Sequence, residues 1–384
     1  MFNQFHQGGI EALNQQNYER AKILFLQAIS QDPTEPESYF FLGESCFLYD
    51  EQDEAVKYLI EYIKLSKQHN TPNTKRACAY DLLGQCYAKL NMRNETLLSY
   101  KLATLLNPSS ASAWHNRGLF FMSLAQSHLQ QKNHDEFSTY SNEAYKFIKE
   151  ALRICSTIPM FLHSFAQWHA TYVEALEQLN IESLTIHEDI YKNVQLAIEH
   201  YQEAVKFCSK DDSGLRNIIL ANHTRCLSEY GYFFYHTKDY ENAEKWYLQA
   251  LQLTPNHIVS INQMGMICSN QKRFDEAIEY FASIFTKTDE IPEHADAALN
   301  LAYVYRQQNR LDKAEEMLTK AELLTPPGDH YITQERDKLN EAKQEANKTA
   351  ENASLIKAPQ VFFKASPVTT NPKPPASTKD TYQP

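Results

Sequence analysis

Residues 231–255 read GYFFYHTKDYENAEKWYLQALQLTP, and this stretch decides the fold because its small and large residues recur elsewhere at fixed distances. A glycine is followed after twelve residues by an alanine or another small residue, and then by an aromatic residue, an alanine and a proline. The three clearest copies are Gly231, Ala243, Tyr247, Ala250, Pro255; Gly9, Ala21, Phe25, Ala28, Pro33; and Gly84, Thr96, Tyr100, Ala103, Pro108. Such internal repetition indicates an array of stacked structural repeats.

The period of the pattern is 34 residues. Six of the nine glycines occupy its first position, and the spacing is 34 from Gly9 to Gly43, from Gly84 to Gly118 and from Gly231 to Gly265. Gly43 and Gly84 are 41 residues apart. We assign the seven extra residues to a loop in the polar stretch 66–73, SKQHNTPN, whose composition is typical of a connection.

The pattern resembles the tetratricopeptide repeat family, in which 34 residues form two antiparallel helices. A glycine facing an alanine then marks the crossing point of each pair, because small residues let helix backbones approach. The proline ends the second helix, since it has no amide hydrogen and disfavours helix in the residue before it. The resemblance implies an all-α fold, a right-handed α-α superhelix of about eight helical pairs with a C-terminal capping helix and a disordered tail.

The repeats predict one solenoid domain over residues 2–328. Its units are expected at about residues 2–35, 36–69, 77–110, 111–156, 158–210, 224–257, 258–291 and 295–328. Residues 329–357 keep helical spacing while becoming polar, as a capping helix does. Residues 358–384 are rich in Pro, Ser, Thr and Lys, a composition typical of a disordered tail. Within it, the apolar motif Val361, Phe362 and Phe363 either docks on a partner, folds back into the protein's own groove or has no role.

Units four and five depart most from the pattern. Gln130 stands where Gly118 should find its alanine, and the pattern resumes fourteen residues late at Ala144. We therefore expect both helices of unit four to be longer, with residues 132–134 at the bend. The fifth unit has no glycine and carries only the second half of the pattern, at Ala197, Tyr201 and Ala204.

Composition disfavours several function classes. The formal net charge of −11 argues against nucleic acid, which needs a basic surface, and keeps basic peptide segments among the candidate ligands. No run approaches the ~18 apolar residues of a membrane helix, and the first residues do not resemble a secretory leader, so we expect a soluble, cytoplasmic protein without membrane insertion. Seven scattered cysteines without a Cys-x-x-Cys pair predict small buried residues in a reducing compartment.

Motifs for catalysis or cofactor binding are absent from the sequence, including phosphate-binding glycine loops and His-Glu-x-x-His. The nearest approach to a metal cluster is residues 187–189, His-Glu-Asp, which we assign to the start of the fifth unit's second helix, where acidic residues are favourable. His163 and His169 are six residues apart and do not share a helix face, so we expect packing or exposure for both. We predict no catalytic residues, no cofactor, no metal and no enzyme.

In the resembling family, the first helix of each pair lines a concave wall on which peptides or partner helices lie. Residues one helical step from the buried glycine are candidates for this groove, with rings as apolar anchors and polar groups for a peptide backbone. The alternative for each ring is packing against the next repeat. The candidates are Phe40, Glu44, Phe47, Asp81, Gln85, His115, Leu119, Tyr232, Tyr235, Asn262, Met266, Tyr303 and Arg306.

The resemblance implies a non-catalytic scaffold or adaptor that binds protein or peptide partners. One subclass grips the C-terminal carboxylate of heat-shock chaperones with Lys, Arg and Asn. Here those positions hold other residues, so that partner is disfavoured; in the first three units they are His6, Ile10, Phe41, Cys78 and Leu82. Three alternatives stay open: a peptide-sensing regulator, a regulatory subunit of an enzyme complex, and a bacterial effector acting on host proteins.

Overall fold

A computed structural model describes residues 2–178, 184–289 and 291–357, and these residues form helices joined by short turns. The tail motif Val361, Phe362 and Phe363 lies outside them. The chain divides into two compact parts, each larger than one repeat. We call Met1–Thr288 unit 1 and Asp289–Pro384 unit 2. Unit 2 contains α15 Ile291–Gln307, α16 Leu311–Leu324 and α17 His330–Lys357. Unit 1 contains α1 Phe2–Asn14, α2 Tyr18–Gln31, α3 Pro36–Leu48, α4 Gln52–Gln68, α5 Asn73–Lys89, α6 Arg93–Leu106, α7 Ala111–Gln130, α8 His134–Ile154, α9 Pro159–Gln178, α10 Leu184–Phe207, α11 Ser213–His236, α12 Tyr240–Leu253, α13 Ile258–Asn270 and α14 Phe274–Lys287.

The glycines lie where the two helices of a pair cross most closely. A methyl group added at any of the six would lie 2.6 to 2.9 Å from a side chain of the second helix, a distance that leaves no room for it. The nearest side chain is not the alanine twelve residues on but a large residue further along, such as Phe25 opposite Gly9 or Tyr247 opposite Gly231. The predicted alanines are also buried, and Ala21, Ala55, Ala243 and Ala277 are all 0% exposed.

A left-handed residue forms the tight turn inside seven pairs. The following amide donates to the carbonyl five residues back, as Asn17 does to Ala12 at 2.9 Å, which closes the first helix with a Schellman motif. The corresponding turn of α9 and α10 falls at residues 179–183, outside the described part. None of the seven turn residues is a glycine; they are Gln16, Asp50, Asn91, Lys132, Lys238, Lys272 and Asn309.

The first helices of successive pairs form an inner layer in unit 1. Backbone contacts join α1 to α3, α3 to α5, and so on to α13. Within the described residues no two second helices come as close, and α6 and α8 meet only through side chains, where Arg93 donates to the Tyr140 hydroxyl. Because the first helices lie closer together than the second helices, the array curves with α1, α3, α5, α7, α9, α11 and α13 on its inner side. We call these seven helices the inner wall.

Helix lengths and boundaries confirm one expectation and correct another. The helices α7 and α8 are 20 and 21 residues long, against 13 and 14 in the first pair, so the predicted lengthening of the fourth pair is confirmed. The loop predicted at residues 66–73 is shorter, because α4 continues to Gln68 and α5 already begins at Asn73. Ser66 is buried, and its hydroxyl donates to the Ile63 carbonyl of the same helix. This bond satisfies the hydroxyl inside α4, so a polar residue is accommodated there. In the sixth pair, α11 begins at Ser213, so this helix extends eleven residues ahead of the repeat unit expected at residues 224–257.

Unit 2 contains one further helix pair and the capping helix. Ala302 takes the glycine position in α15 and is 1% exposed, against Ala314 and Leu318 of α16, which are 0% exposed. The last helix, α17, packs on both α15 and α16. Among the described residues, no helix is long and apolar enough to cross a membrane.

Candidate partner-binding wall

Hydrogen bonds between side chains join neighbouring helices of the inner wall. His6 Nδ1 is 2.8 Å from Ser38 Oγ between α1 and α3, and Asn222 Nδ2 is 2.9 Å from His163 Nε2 between α9 and α11. Asn270 donates to the Tyr235 hydroxyl at 3.0 Å between α11 and α13. These bonds fix one first helix against the next, so the wall is a pre-formed surface.

The candidates on α3 are half-buried rather than free. The Phe40 ring packs against Phe41 and Tyr62 at centroid distances of 5.5 and 5.3 Å, which makes Phe40 partly a core residue. The Phe47 ring lies under the Lys89 ammonium, 4.7 Å from the ring centroid. Loss of hydration raises the pKa of Glu44.

The candidates on α5 and α7 are mostly engaged within the wall. Asn116 Nδ2 donates to both carboxylate oxygens of Asp81, at 3.0 and 3.2 Å, and Gln85 lies 3.4 Å from the same group. Desolvation nonetheless raises the pKa of Asp81 to about 6. His115, predicted to face the groove, is 4% exposed and hydrogen-bonded to Ser164 Oγ at 2.9 Å, so it is a packing residue. Leu119 is half-buried.

The candidates on α11 and α13 include the most exposed ring of the set. Tyr232 is 51% exposed and packs edge-on against His236 at 4.2 Å. Tyr235 is half-buried and accepts the bond from Asn270. Asn262 and Met266 are half-buried on α13. Tyr232 therefore has the largest free surface for an apolar contact on these two helices.

In unit 2, the two candidates have different roles. Tyr303 is 40% exposed. Arg306 forms a two-bond ion pair with Glu335 of α17, with N–O distances of 2.6 and 3.0 Å. The side chains of Arg306 and Glu335 are only 14% and 7% exposed, so Arg306 holds the capping helix and is not a free groove residue.

Four histidines are buried in the middle of unit 1. His169 Nδ1 is 2.8 Å from Asn193 Oδ1, and the His223 ring stacks on Tyr201 at 5.5 Å. Burial lowers the pKa of His115, His169 and His223 to about 4, so all three are neutral at pH 7. Packing, one of the two alternatives expected for His163 and His169, is therefore correct. We call this set the buried histidines: His115, His163, His169 and His223, each 3–5% exposed.

An acidic cleft between α9 and α11 was not predicted from the sequence. Its cavity of about 240 Å³ is bordered by Glu174 and Glu177 of α9 and by Glu229 of α11. A spacing of three residues places Glu174 and Glu177 on one helix face, which is the signal that the sequence offered. Two other cavities are lined by second helices together with the first helix between them: one of about 440 Å³ at α12–α14 and one of about 230 Å³ at α4–α6.

Reactive groups are few among the described residues. No group of three or more His, Cys, Asp or Glu residues there could hold a metal ion. Five of the seven cysteines are buried, whereas Cys78 is exposed and Cys155 is half-buried, so the expectation of burial is wrong for Cys78. Burial raises the pKa of the Cys46 and Cys86 thiols to about 12, which keeps them from forming thiolates.

Models of the tetratricopeptide repeat match residues 7–70, 224–257 and 257–322. These segments contain the first two helix pairs and pairs six to eight, and the pairs between them pack in the same way. The chain is a tetratricopeptide-repeat protein. This family is generally non-catalytic, and its fold supports protein–protein interaction scaffolds.

Two curated relatives are similar to parts of this tetratricopeptide-repeat chain. A TPR repeat-containing protein of Methanocaldococcus jannaschii is 21% identical over 278 residues, which are 72% of this chain and 41% of the relative. The human protein O-mannosyl-transferase TMTC3 is 30% identical over 101 residues, 26% of this chain and 11% of the relative. The chain thus matches less than half the length of either protein.

Solved structures of repeat proteins are similar at low identity. A thermophilic TPR protein of Thermus thermophilus has a TM-score of 0.40 and 18% identity, covering 58% of this chain and 98% of that protein. PilF of Pseudomonas aeruginosa has a TM-score of 0.38 and 15% identity, covering 69% of this chain and 99% of that protein.

Proposed function

We propose that this chain is a non-catalytic scaffold whose inner wall binds a peptide or a helical segment of a partner protein. The main support is that the inner wall is pre-formed, with first helices tied to one another by side-chain hydrogen bonds such as Asp81–Asn116 and Tyr235–Asn270. A surface that is ordered before binding loses little conformational entropy when a partner arrives, which favours affinity.

The wall offers the two kinds of contact that an extended segment needs. The exposed ring of Tyr232 and the half-buried ring of Phe47 provide apolar anchors, and aromatic anchors dominate many protein interfaces. The half-buried side chain of Gln85 provides an amide group whose oxygen can accept a hydrogen bond from a peptide backbone.

The test removes the two rings that this proposal uses as apolar anchors. We would compare proteins captured from the expressing cells by the wild-type chain and by the double variant Phe47→Ala, Tyr232→Ala. A matched control is Ile23→Ala, Leu105→Ala, because these side chains are 53% and 68% exposed on the second helices α2 and α6. Quantitative mass spectrometry should show partners that the wild type and the control retain and the wall variant loses. Equal recovery by all three would refute this placement of the binding surface.

A further inference from the structure

The acidic cleft combines an apolar floor with a charged rim. Val173 of α9, Val194 of α10 and Tyr230 of α11 line its floor, and all three are buried. Glu174, Glu177 and Glu229 stand at its opening and are exposed to solvent.

Negative charge at the rim is not balanced by the protein. Loss of hydration and the charges of Glu229 and Glu174 raise the pKa of Glu177 to about 7, and in the described part of the chain no cation offsets this rise. Arg225 lies 3.6 Å from Glu229 on the same helix, but both side chains are about 60% exposed. An ion pair so exposed to water contributes little to stability. It therefore leaves most of the negative potential of the three carboxylates in place.

We propose that the acidic cleft receives one lysine or arginine side chain of the segment bound on the inner wall. The alkyl stem lies on the apolar floor and the cationic head lies among Glu174, Glu177 and Glu229. Long basic side chains pack in this way, with the stem on an apolar surface and the head in a polar environment. The inference rests on the proposed function and adds a requirement for one basic residue in the partner.

The size and composition of the cleft favour a single side chain over other occupants. Its volume of about 240 Å³ is below the ~300–1,000 Å³ typical of small-molecule sites. A calcium ion needs six to eight oxygen ligands, whereas half of this cleft is apolar and its carboxylates are not arranged to hold a metal. An ammonium or guanidinium group carries several N–H donors and can use carboxylates spread around an opening.

The experiment selects peptides from a phage-displayed library of random sequences on the full chain. The test variant is Glu174→Gln, Glu177→Gln, Glu229→Gln. The control variant Glu19→Gln, Glu136→Gln, Glu241→Gln makes the same change in net charge with exposed residues of α2, α8 and α12. Peptides selected on the wild type and on the control should share one Lys or Arg position, and peptides selected on the test variant should lack it. Helix content measured by circular dichroism should be the same in all three proteins.

Binding of one selected peptide, measured by fluorescence anisotropy, then tests the contact itself. Replacing its Lys or Arg by norleucine, which keeps the apolar stem, should weaken binding to the wild type by at least about tenfold. The same replacement should have no effect on the test variant. Even if that variant fails to fold, the norleucine peptide still tests the contact on the wild type.

Four results would overturn the proposal. Selected peptides without a basic preference, or an equal norleucine effect on the wild type and the test variant, would refute the acidic cleft alone and leave the scaffold function standing. A library that yields no binders would refute the scaffold function and this inference together. A rise in melting temperature with calcium that the test variant loses would assign the cleft to a metal.

Discussion

The adjacent glycines Gly8 and Gly9 of α1 should respond to alanine with opposite signs. At Gly9 the added methyl group would lie 2.6 to 2.8 Å from three ring carbons of Phe25, whereas at Gly8 it would meet only Leu24, at 3.5 Å. Phe25 is 0% exposed, and its ring stacks on Phe41 at 5.7 Å, so it has no space to move away.

The size of the difference follows from two effects. Both substitutions gain helix propensity, about 0.8–1 kcal/mol, and Gly8→Ala should retain that gain. Gly9→Ala also overpacks the crossing, which costs about 1–3 kcal/mol, and contacts well inside 3 Å place it in the upper part of that range. The net loss at Gly9 is then about 1–2 kcal/mol. The two variants should differ by about 2–3 kcal/mol, a factor of roughly 30–150 in the opening equilibrium.

Amide hydrogen exchange in α1 and α2, measured by mass spectrometry, is the suitable assay because the terminal repeat of an array opens locally. Exchange should be slower than in the wild type for Gly8→Ala and faster for Gly9→Ala. Adding Phe25→Leu should recover part of the loss in Gly9→Ala, since residues in contact show coupling. If Gly9→Ala exchanges as slowly as Gly8→Ala, the close crossing at this glycine is refuted.

Three further predictions concern charge. The buried histidines have a lower pKa in the folded than in the unfolded chain. Their contribution to the free energy of unfolding is therefore complete above pH 6.5 and is lost as the pH falls toward 4. The loss is up to about 1.4 kcal/mol per histidine per pH unit. Urea unfolding at pH 7 and pH 5 should show this loss, and His223→Phe, which keeps a ring on Tyr201, should reduce it; an unchanged slope would contradict the assignment. Glu177 has a raised pKa in the folded chain, so the free energy of unfolding of the wild type decreases as the pH rises from 4.5 to 7. Glu177→Gln should therefore melt at a higher temperature than the wild type at pH 8, with the gap closing at low pH, and a constant gap would argue against a titrating Glu177. Glu335→Ala leaves the largely buried Arg306 side chain without its partner, which should weaken the docking of α17 by about 3 kcal/mol. Hydrogen exchange in residues 330–349 measures this, and exchange at the wild-type rate would show that the ion pair does not hold the helix.

The helix pairs could be predicted from the sequence because their signal is local. A glycine such as Gly265 and the ring that covers it, Phe281, are sixteen residues apart within one unit, so the spacing alone shows which surfaces meet. The array was therefore recognisable without any knowledge of its surface.

The availability of the groove residues could not be predicted, because their partners come from other repeats. His115 is closed off by Ser164, 49 residues away, and Arg306 by Glu335, 29 residues away. A repeat pattern gives a residue's position on its own helix but not the side chain that the next helix presents. The acidic cleft could not be predicted for the same reason. Glu177 lies on α9 and Glu229 on α11, and only the packing of these helices places both residues at one cavity.

The contacts of unit 1 also bear on how such a chain can evolve. Within the described residues, every helix of unit 1 touches only helices of its own pair or of an adjacent pair. Duplication of one 34-residue segment of the gene would therefore lengthen the array by one pair and leave all distant interfaces as they were. The reach of the inner wall can change by insertion or loss of a whole repeat, whereas a globular domain would have to rebuild its core.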